Sequence, residues 1–212
     1  MKNLLSIFFL LSLVSCMPKN SFVPTLTQND LWLFNGSSLN DWERTDFAGK
    51  GEVMIDENGS LVLEMGAELS GVHWKGDTLP VVNYEIHFKA KRTMGSDFFC
   101  GLTFPFKQSH ATLILGGWGG SLIGISSIDD FDASENETGD AYIFEDNQWY
   151  DIRLRVTDSE ISVWINKEQV IDCEVEGRKV AMRFGEIEMS VPLGICTYAT
   201  TGVIREVFLK EI

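Results

Sequence analysis

The sequence predicts an all-β protein built as one antiparallel β-sandwich. Apolar residues recur at every second position in segment after segment. Turn signals such as Asn-Gly separate those segments, and no stretch keeps the period of a long helix. A chain of 212 residues, 44% apolar and 11% aromatic, can fill the core of a single domain of this class.

The folded part is expected to start at Leu31-Trp32-Leu33-Phe34, closed by the turn Asn35-Gly36. Leu61, Leu63 and Met65 alternate with Val62 and Glu64 after a turn at Asn58-Gly59. Tyr84, Ile86, Phe88 and Ala90 alternate with Glu85, His87, Lys89 and Lys91, the mark of a half-buried strand. Phe98, Cys100, Leu102 and Phe104 share one face of the next segment, and Asp97, Phe99, Gly101 and Thr103 the other. Ala111, Leu113 and Leu115 oppose His110, Thr112 and Ile114. Tyr150, Ile152, Leu154 and Val156 oppose Trp149, Asp151, Arg153 and Arg155. Ile161, Val163 and Ile165 oppose Ser162 and Trp164, and Asn166-Lys167 turns the chain into Val170-Ile171-Asp172. Leu193–Cys196 and Val203–Leu209 close the domain. Val180–Met189 has room for a short helix, interrupted by Gly185.

Two packed sheets bury their inner faces, which leaves Trp149, Trp164, Phe99, His110 and Arg153 on the expected outer faces. Rings and charges on an outer face suit a sugar, whose C–H face stacks on an aromatic ring while its hydroxyls take hydrogen bonds.

The chain ahead of the domain reads as a processing signal. Lys2 is a basic start, Leu4–Val14 is an apolar run too short to span a bilayer, and Leu13-Val14-Ser15-Cys16 resembles a bacterial lipobox. We therefore expect a lipoprotein signal peptide at 1–15, lipid attachment at Cys16, a tether at 16–30 and the domain at 31–212. Met17, in place of an Asp retention signal, favours the outer membrane over the inner, facing the periplasm or the cell surface. With Cys16 acylated, Cys100, Cys173 and Cys196 remain, enough for one disulfide at most.

Net charge is −14, and loss of Lys2 with the leader leaves 16 basic and 31 acidic side chains. That balance argues against a nucleic-acid partner and against electrostatic docking on anionic lipid. Much of the acid sits in one segment, Asp129, Asp130, Asp132, Glu135 and Glu137, just after Gly116-Gly117-Trp118-Gly119-Gly120. Glycines around a tryptophan let backbone come close to a ligand. Crowded carboxylates shift one another's pKa, bind a cation or stay solvated. Asp129, Asp130 and Asp132 are the candidate ligands for a structural calcium ion, though without EF-hand spacing. The glycines form no phosphate loop, and His73, His87 and His110 have no zinc spacing.

Leu33-Phe34-Asn35-Gly36-Ser37-Ser38-Leu39-Asn40-Asp41-Trp42 resembles the Phe-Asn-Gly-Lys-x-Leu-x-Gly-Trp opening of the 3-keto-disaccharide hydrolase domain family (domain of unknown function 1080). Tyr84-Glu85-Ile86-His87-Phe88-Lys89 stands where members carry Phe-Glu-Leu-x-x-Glu-Phe. Near the place where many members read Gly-Asn-Ser-Gly-Ile, this chain reads Gly95-Ser96-Asp97-Phe98-Phe99, with Asp97 in place of a small residue. The resemblance implies a concanavalin A-like, LamG-like jelly roll and cleavage of glycosidic bonds in 3-keto sugars. An ordinary glycoside needs two carboxylates about 5–5.5 Å or about 6.5–9.5 Å apart. A ketone acidifies the neighbouring C–H, so that one base and one oxyanion stabiliser suffice. On this reading Glu135 or Glu137 is the base, His110 an acid or proton shuttle, Arg153 the enolate stabiliser and Asp97 the second carboxylate. Trp118, Asp129, Asn136 and Trp149 hold the sugar, and no cofactor is required. The alternative is a lectin-like module that binds a glycan without cleaving it, since jelly rolls host both roles.

Overall fold

The computed structural model describes residues 30–212, so the expected leader, Cys16 and the expected tether up to residue 29 lie outside the described residues. In chain order the strands are β1 (Asp30–Phe34), β2 (Trp42–Arg44), β3 (Val53–Ile55), β4 (Leu61–Leu63), β5 (Leu69–Trp74), β6 (Tyr84–Gly95), β7 (Cys100–Phe106) and β8 (Ser109–Gly116). They continue as β9 (Leu122–Ser126), β10 (Asp140–Ala141), β11 (Tyr150–Val156), β12 (Glu160–Ile165), β13 (Glu168–Glu174), β14 (Gly194–Tyr198) and β15 (Thr200–Glu211). Asp30, assigned to the tether on sequence, pairs with Lys210 inside β1.

Sheet one runs β13-β12-β11-β6-β15-β4-β3, with β1 also paired to β15. Sheet two runs β10-β9-β8-β7-β14-β5-β2. All named pairings are antiparallel. The sandwich is a jelly roll, as the alternating pattern and the resemblance predict.

The alternation explains the core. Tyr84, Ile86, Phe88 and Ala90 of β6 meet Tyr150, Ile152, Leu154 and Val156 of β11 and Ile161, Val163 and Ile165 of β12 on the inner face. Leu102 and Phe104 of β7 and Leu113 and Leu115 of β8 face them from sheet two. The opening motif is structural: Trp42 is buried, packs edge-on against Trp74 at 5.4 Å and donates its indole N–H to Leu33 O at 2.8 Å.

One expectation is corrected and two open readings are resolved. Phe99, assigned to an outer face, is fully buried in the main core, 4.9 Å from Phe144. The strand begins only at Cys100, so Phe98 and Phe99 precede its alternation, and Phe98 joins a second cluster with Phe47, Leu69, Ile114, Ala133 and Cys196. Cys100, Cys173 and Cys196 are all free thiols. Cys100 belongs to the main core and Cys196 to the second cluster, so they sit on opposite faces of sheet two. The stretch 180–189 forms no α-helix; after Gly185 a short 3₁₀ turn spans Glu186–Ser190.

The second cluster matters for the site. It lies on the outer face of sheet two, where Phe47, Ala133 and Ile187 come from loops folded over Ile114, Leu69 and Cys196. Sheet two is therefore roofed by its own loops, whereas the outer face of sheet one carries the half-buried His87, Arg153 and Trp164.

Candidate functional site

At the rim of this roof is a cavity of about 410 Å³ lined by Asp97, Trp118, Arg183, Phe184, Glu186 and Tyr198, among others. Trp118 occupies the tip of the β8–β9 hairpin. Gly116 ends β8 at φ +82°, Trp118 itself has φ 47°, and Gly119 and Gly120 follow at +92° and +101°. A bulky residue in left-handed backbone is strained, and such strain gathers at functional positions. Gly120 leaves room for Arg92, whose guanidinium lies 2.7 Å from where a Cβ would stand. Arg92 donates to Gly120 O at 3.1 Å, Phe144 O at 2.8 Å and Asp146 Oδ1 at 2.6 Å, and so pins the hairpin. The ring of Trp118 remains 45% exposed.

Asp97 lies beside the hairpin. Its N–H donates to Thr200 Oγ1 at 2.9 Å, and its Oδ1 accepts from Phe98 N–H at 2.8 Å. Oδ2 makes no hydrogen bond to another described residue. Arg183 stands 5.8 Å from the Trp118 ring and donates to Asp132 Oδ2 at 2.6 Å. Asp132 is itself fixed by Ser126 Oγ and by the Ala133 N–H at 2.8 Å. Phe184 is 92% exposed on the rim, and Glu186 Oε2 accepts from Ala48 N–H at 3.1 Å. The cavity thus combines two exposed rings, a carboxylate with an open oxygen and an oriented guanidinium. That set can stack on a sugar ring, bind its hydroxyls and move a proton.

The structure brings only two of the predicted site residues, Asp97 and Trp118, into this cavity. The acidic segment is neutralised by its own chain. Asp129 takes Lys179 N–H at 2.9 Å and Arg178 Nε at 2.8 Å, which hold its carboxyl below the usual range. Asp130 takes Lys179 Nζ at 2.6 Å and Asp132 takes Arg183. The three aspartates therefore do not converge on a cation, and the described residues hold no group of acids, histidines or cysteines placed for a metal. Glu137 pairs with Arg178, and Glu135 is exposed with no side-chain partner among the described residues. Asn136 spends its amide on the loop, donating toward Ile125 O, Phe131 O and Asp132 O and accepting from Thr138.

His110 lies toward the other end of β8, about 20 Å along the strand from the hairpin. Burial lowers its pKa. Arg153 is on the opposite sheet, 3.8 Å over the Trp164 ring. Trp149 has Arg205 at 4.1 Å and Lys91 at 4.8 Å from its ring. The five predicted catalytic residues thus do not form one centre. Arg183, Phe184, Glu186 and Tyr198 were missed; the one signal for them is Gly185 breaking the helical pattern around exposed Phe184.

Jelly-roll sandwiches of this kind include glycosyl hydrolase-like proteins and carbohydrate-binding modules. The chain belongs to the family of 3-keto-alpha-glucoside-1,2-lyase-like domains, whose profile matches residues 32–192. No curated protein sequence matches it. Among solved structures it is similar to one from Parabacteroides distasonis described as a candidate glycosyl hydrolase, with 14% identity, 89% of this chain and 98% of that chain covered, and a TM-score of 0.53. It is similar to the carbohydrate binding module CBM66 from Bacillus subtilis, with 11% identity, 79% and 93% covered and a TM-score of 0.53. It is also similar to the Crh5 transglycosylase in complex with NAG, with 11% identity, 86% and 83% covered and a TM-score of 0.58. At these identities the likeness is one of fold.

Proposed function

We propose that the Trp118 cavity binds a saccharide and that the chain cleaves 3-keto-glucosides or related glycans there by carbon-acid chemistry. The observation that carries this reading is the meeting of Asp97, Trp118 and Arg183 in one cavity of a chain from this family. Trp118 supports the ring. Asp97 removes the proton from the carbon beside the ketone, Arg183 stabilises the enolate, and the C1–O bond then breaks, with the leaving oxygen taking up a proton. Water adds across the resulting double bond to complete hydrolysis.

The test is release of free sugar from 3-keto-trehalose by the full chain and by its Asp97→Asn variant. Loss of turnover in the variant, with saccharide binding kept, supports the role of Asp97. Equal turnover by both removes it.

A second reading, glycan capture without cleavage, is favoured by the dispersal of His110, Glu135, Glu137 and Arg153 away from the rings. Saccharide binding with no turnover of any keto-glycoside selects it. In either case we propose that Cys16 carries a lipid that tethers the domain to the outer membrane, a reading that rests on the lipobox residues alone. Loss of fatty-acid labelling in Cys16→Ser tests it.

A further inference from the structure

The outer face of sheet one carries a second cavity, of about 310 Å³, away from the Trp118 hairpin. Strand register builds it. Trp32 of β1 stands opposite Phe208 of β15, Phe208 opposite His87 of β6, His87 opposite Arg153 of β11, and Arg153 opposite Trp164 of β12. These residues form one row across five strands, and all but Trp32 line the cavity. His87 stacks on Phe208 at 4.7 Å and 8°, and the Arg153 guanidinium lies 3.8 Å over the Trp164 ring.

The charges around the row are unevenly spent. Lys89, only 10% exposed, takes Glu206 at 2.8 Å and Asp151 at 3.8 Å, so both acids in the cavity wall are engaged. Glu85, beneath the row, takes His87 Nε2 at 2.8 Å and Arg155 Nε at 3.1 Å, with Arg153 farther off at 3.9 Å. Arg153 makes no hydrogen bond to another described residue, although a guanidinium carries five N–H donors. Lys167, at φ 79° in the β12–β13 turn, has no acidic partner among the described residues. Arg153, paired with Glu85 only at 3.9 Å and with N–H donors left over, and Lys167, without an acidic partner among the described residues, therefore line one cavity on a chain of net charge −14.

From this charge pattern we infer that the sheet-one cavity is a second saccharide site, selective for a sugar acid whose carboxylate is taken by Arg153 and Lys167. The volume suits one ring, at the small end of ligand pockets. Arg153, seated over the Trp164 ring, offers a fork for a carboxylate. The apolar wall of Phe208 and His87 receives the C–H face of the ring. The site is independent of the cavity proposed for turnover, and it gives the domain an acidic-glycan contact that its overall charge opposes.

The test is calorimetric titration of the full chain with D-glucuronate, D-glucose and sulfate. We expect glucuronate to bind at least about tenfold more tightly than glucose or sulfate, and Arg153→Gln and Lys167→Gln each to weaken it about tenfold or more. Lys167→Gln is an exposed turn change that leaves the fold intact, so it keeps the test sound should Arg153→Gln unfold the domain. Trp118→Ala should leave glucuronate binding unchanged, which separates this site from the first. Glucuronate no tighter than glucose or sulfate, insensitivity to Lys167→Gln, or loss in Trp118→Ala overturns the inference.

Discussion

Replacing Trp118 with alanine should remove most saccharide affinity from the rim cavity while sparing the fold. The ring is 45% exposed. A tryptophan side chain offers up to about 250 Å², so about 110 Å² is open to a ligand. A sugar covering half of that removes about 55 Å² from water, worth roughly 1.4 kcal/mol. Stacking adds about 0.5–1.5 kcal/mol. The expected loss is about 2–3 kcal/mol, or roughly 30- to 150-fold in Kd. Alanine at this exposed tip keeps the left-handed backbone, so stability should change by no more than about 0.5 kcal/mol. The assay is calorimetric titration of wild type and variant with trehalose and its 3-keto form, beside a urea melt of each. A Kd within twofold of wild type for a ligand the wild type binds would refute the stacking role. So would binding lost only together with the fold.

Glu85→Gln should cost about 3 kcal/mol in a urea melt, because it strips the carboxylate from His87, Arg153 and Arg155 at a side chain only 6% exposed. Burial pushes Glu85 up, but the hydrogen bond from His87 and the charges of His87, Arg153 and Arg155 outweigh it and hold its carboxyl below the ordinary 4.5. Its contribution is thus present above pH 4.5 and lost as pH falls through the lower native value, so the variant should show a flatter acid limb. His110 acts in the same pH direction from a different cause. Burial favours its neutral form, so the unfolded chain takes up the proton first and stability should fall as pH drops below 6.5. His110→Gln should reduce that fall, and an unchanged pH profile would rule out the assignment. Burial pushes the Cys196 thiol up to about 12 and Cys173 to about 11, and raises Cys100 as well. Ellman's reagent at neutral pH should therefore leave Cys100 and Cys196 unmodified until urea unfolds the chain.

Where a strand has one wet face, its alternation could be read directly. Strands β6, β11 and β12 show this, since their outer faces carry the half-buried His87, Arg153 and Trp164. β5 gave no such signal: in Leu69–Trp74 nearly every residue is buried on both faces. β9 is similar, with Ile123–Ser126 all buried. Both belong to the sheet that loops cover, and a covered outer face erases the polar half of the pattern. Phe98 and Phe99 were misassigned for a related reason. Two large apolar residues just before a strand fit either parity, and tertiary packing decides which enters which cluster.

The site was legible only as far as its features were local. Trp118 stands out because glycines bracket it, and the structure keeps it exposed at a hairpin tip. The acidic segment resembles a reactive cluster in sequence because only one sign of charge is visible there. Its partners arrive some fifty residues later, with Arg178 on Asp129, Lys179 on Asp130 and Arg183 on Asp132 at separations of 49, 49 and 51 residues. The two segments meet antiparallel, with Ile128 bridging Val180, and these three aspartates each meet a base. These ion pairs make the acidic run a latch between the two loops. The latch still bears on function, because Asp132 orients the guanidinium that reaches the Trp118 ring. The acids read as chemistry on sequence thus serve the site at one remove, by placing the arginine.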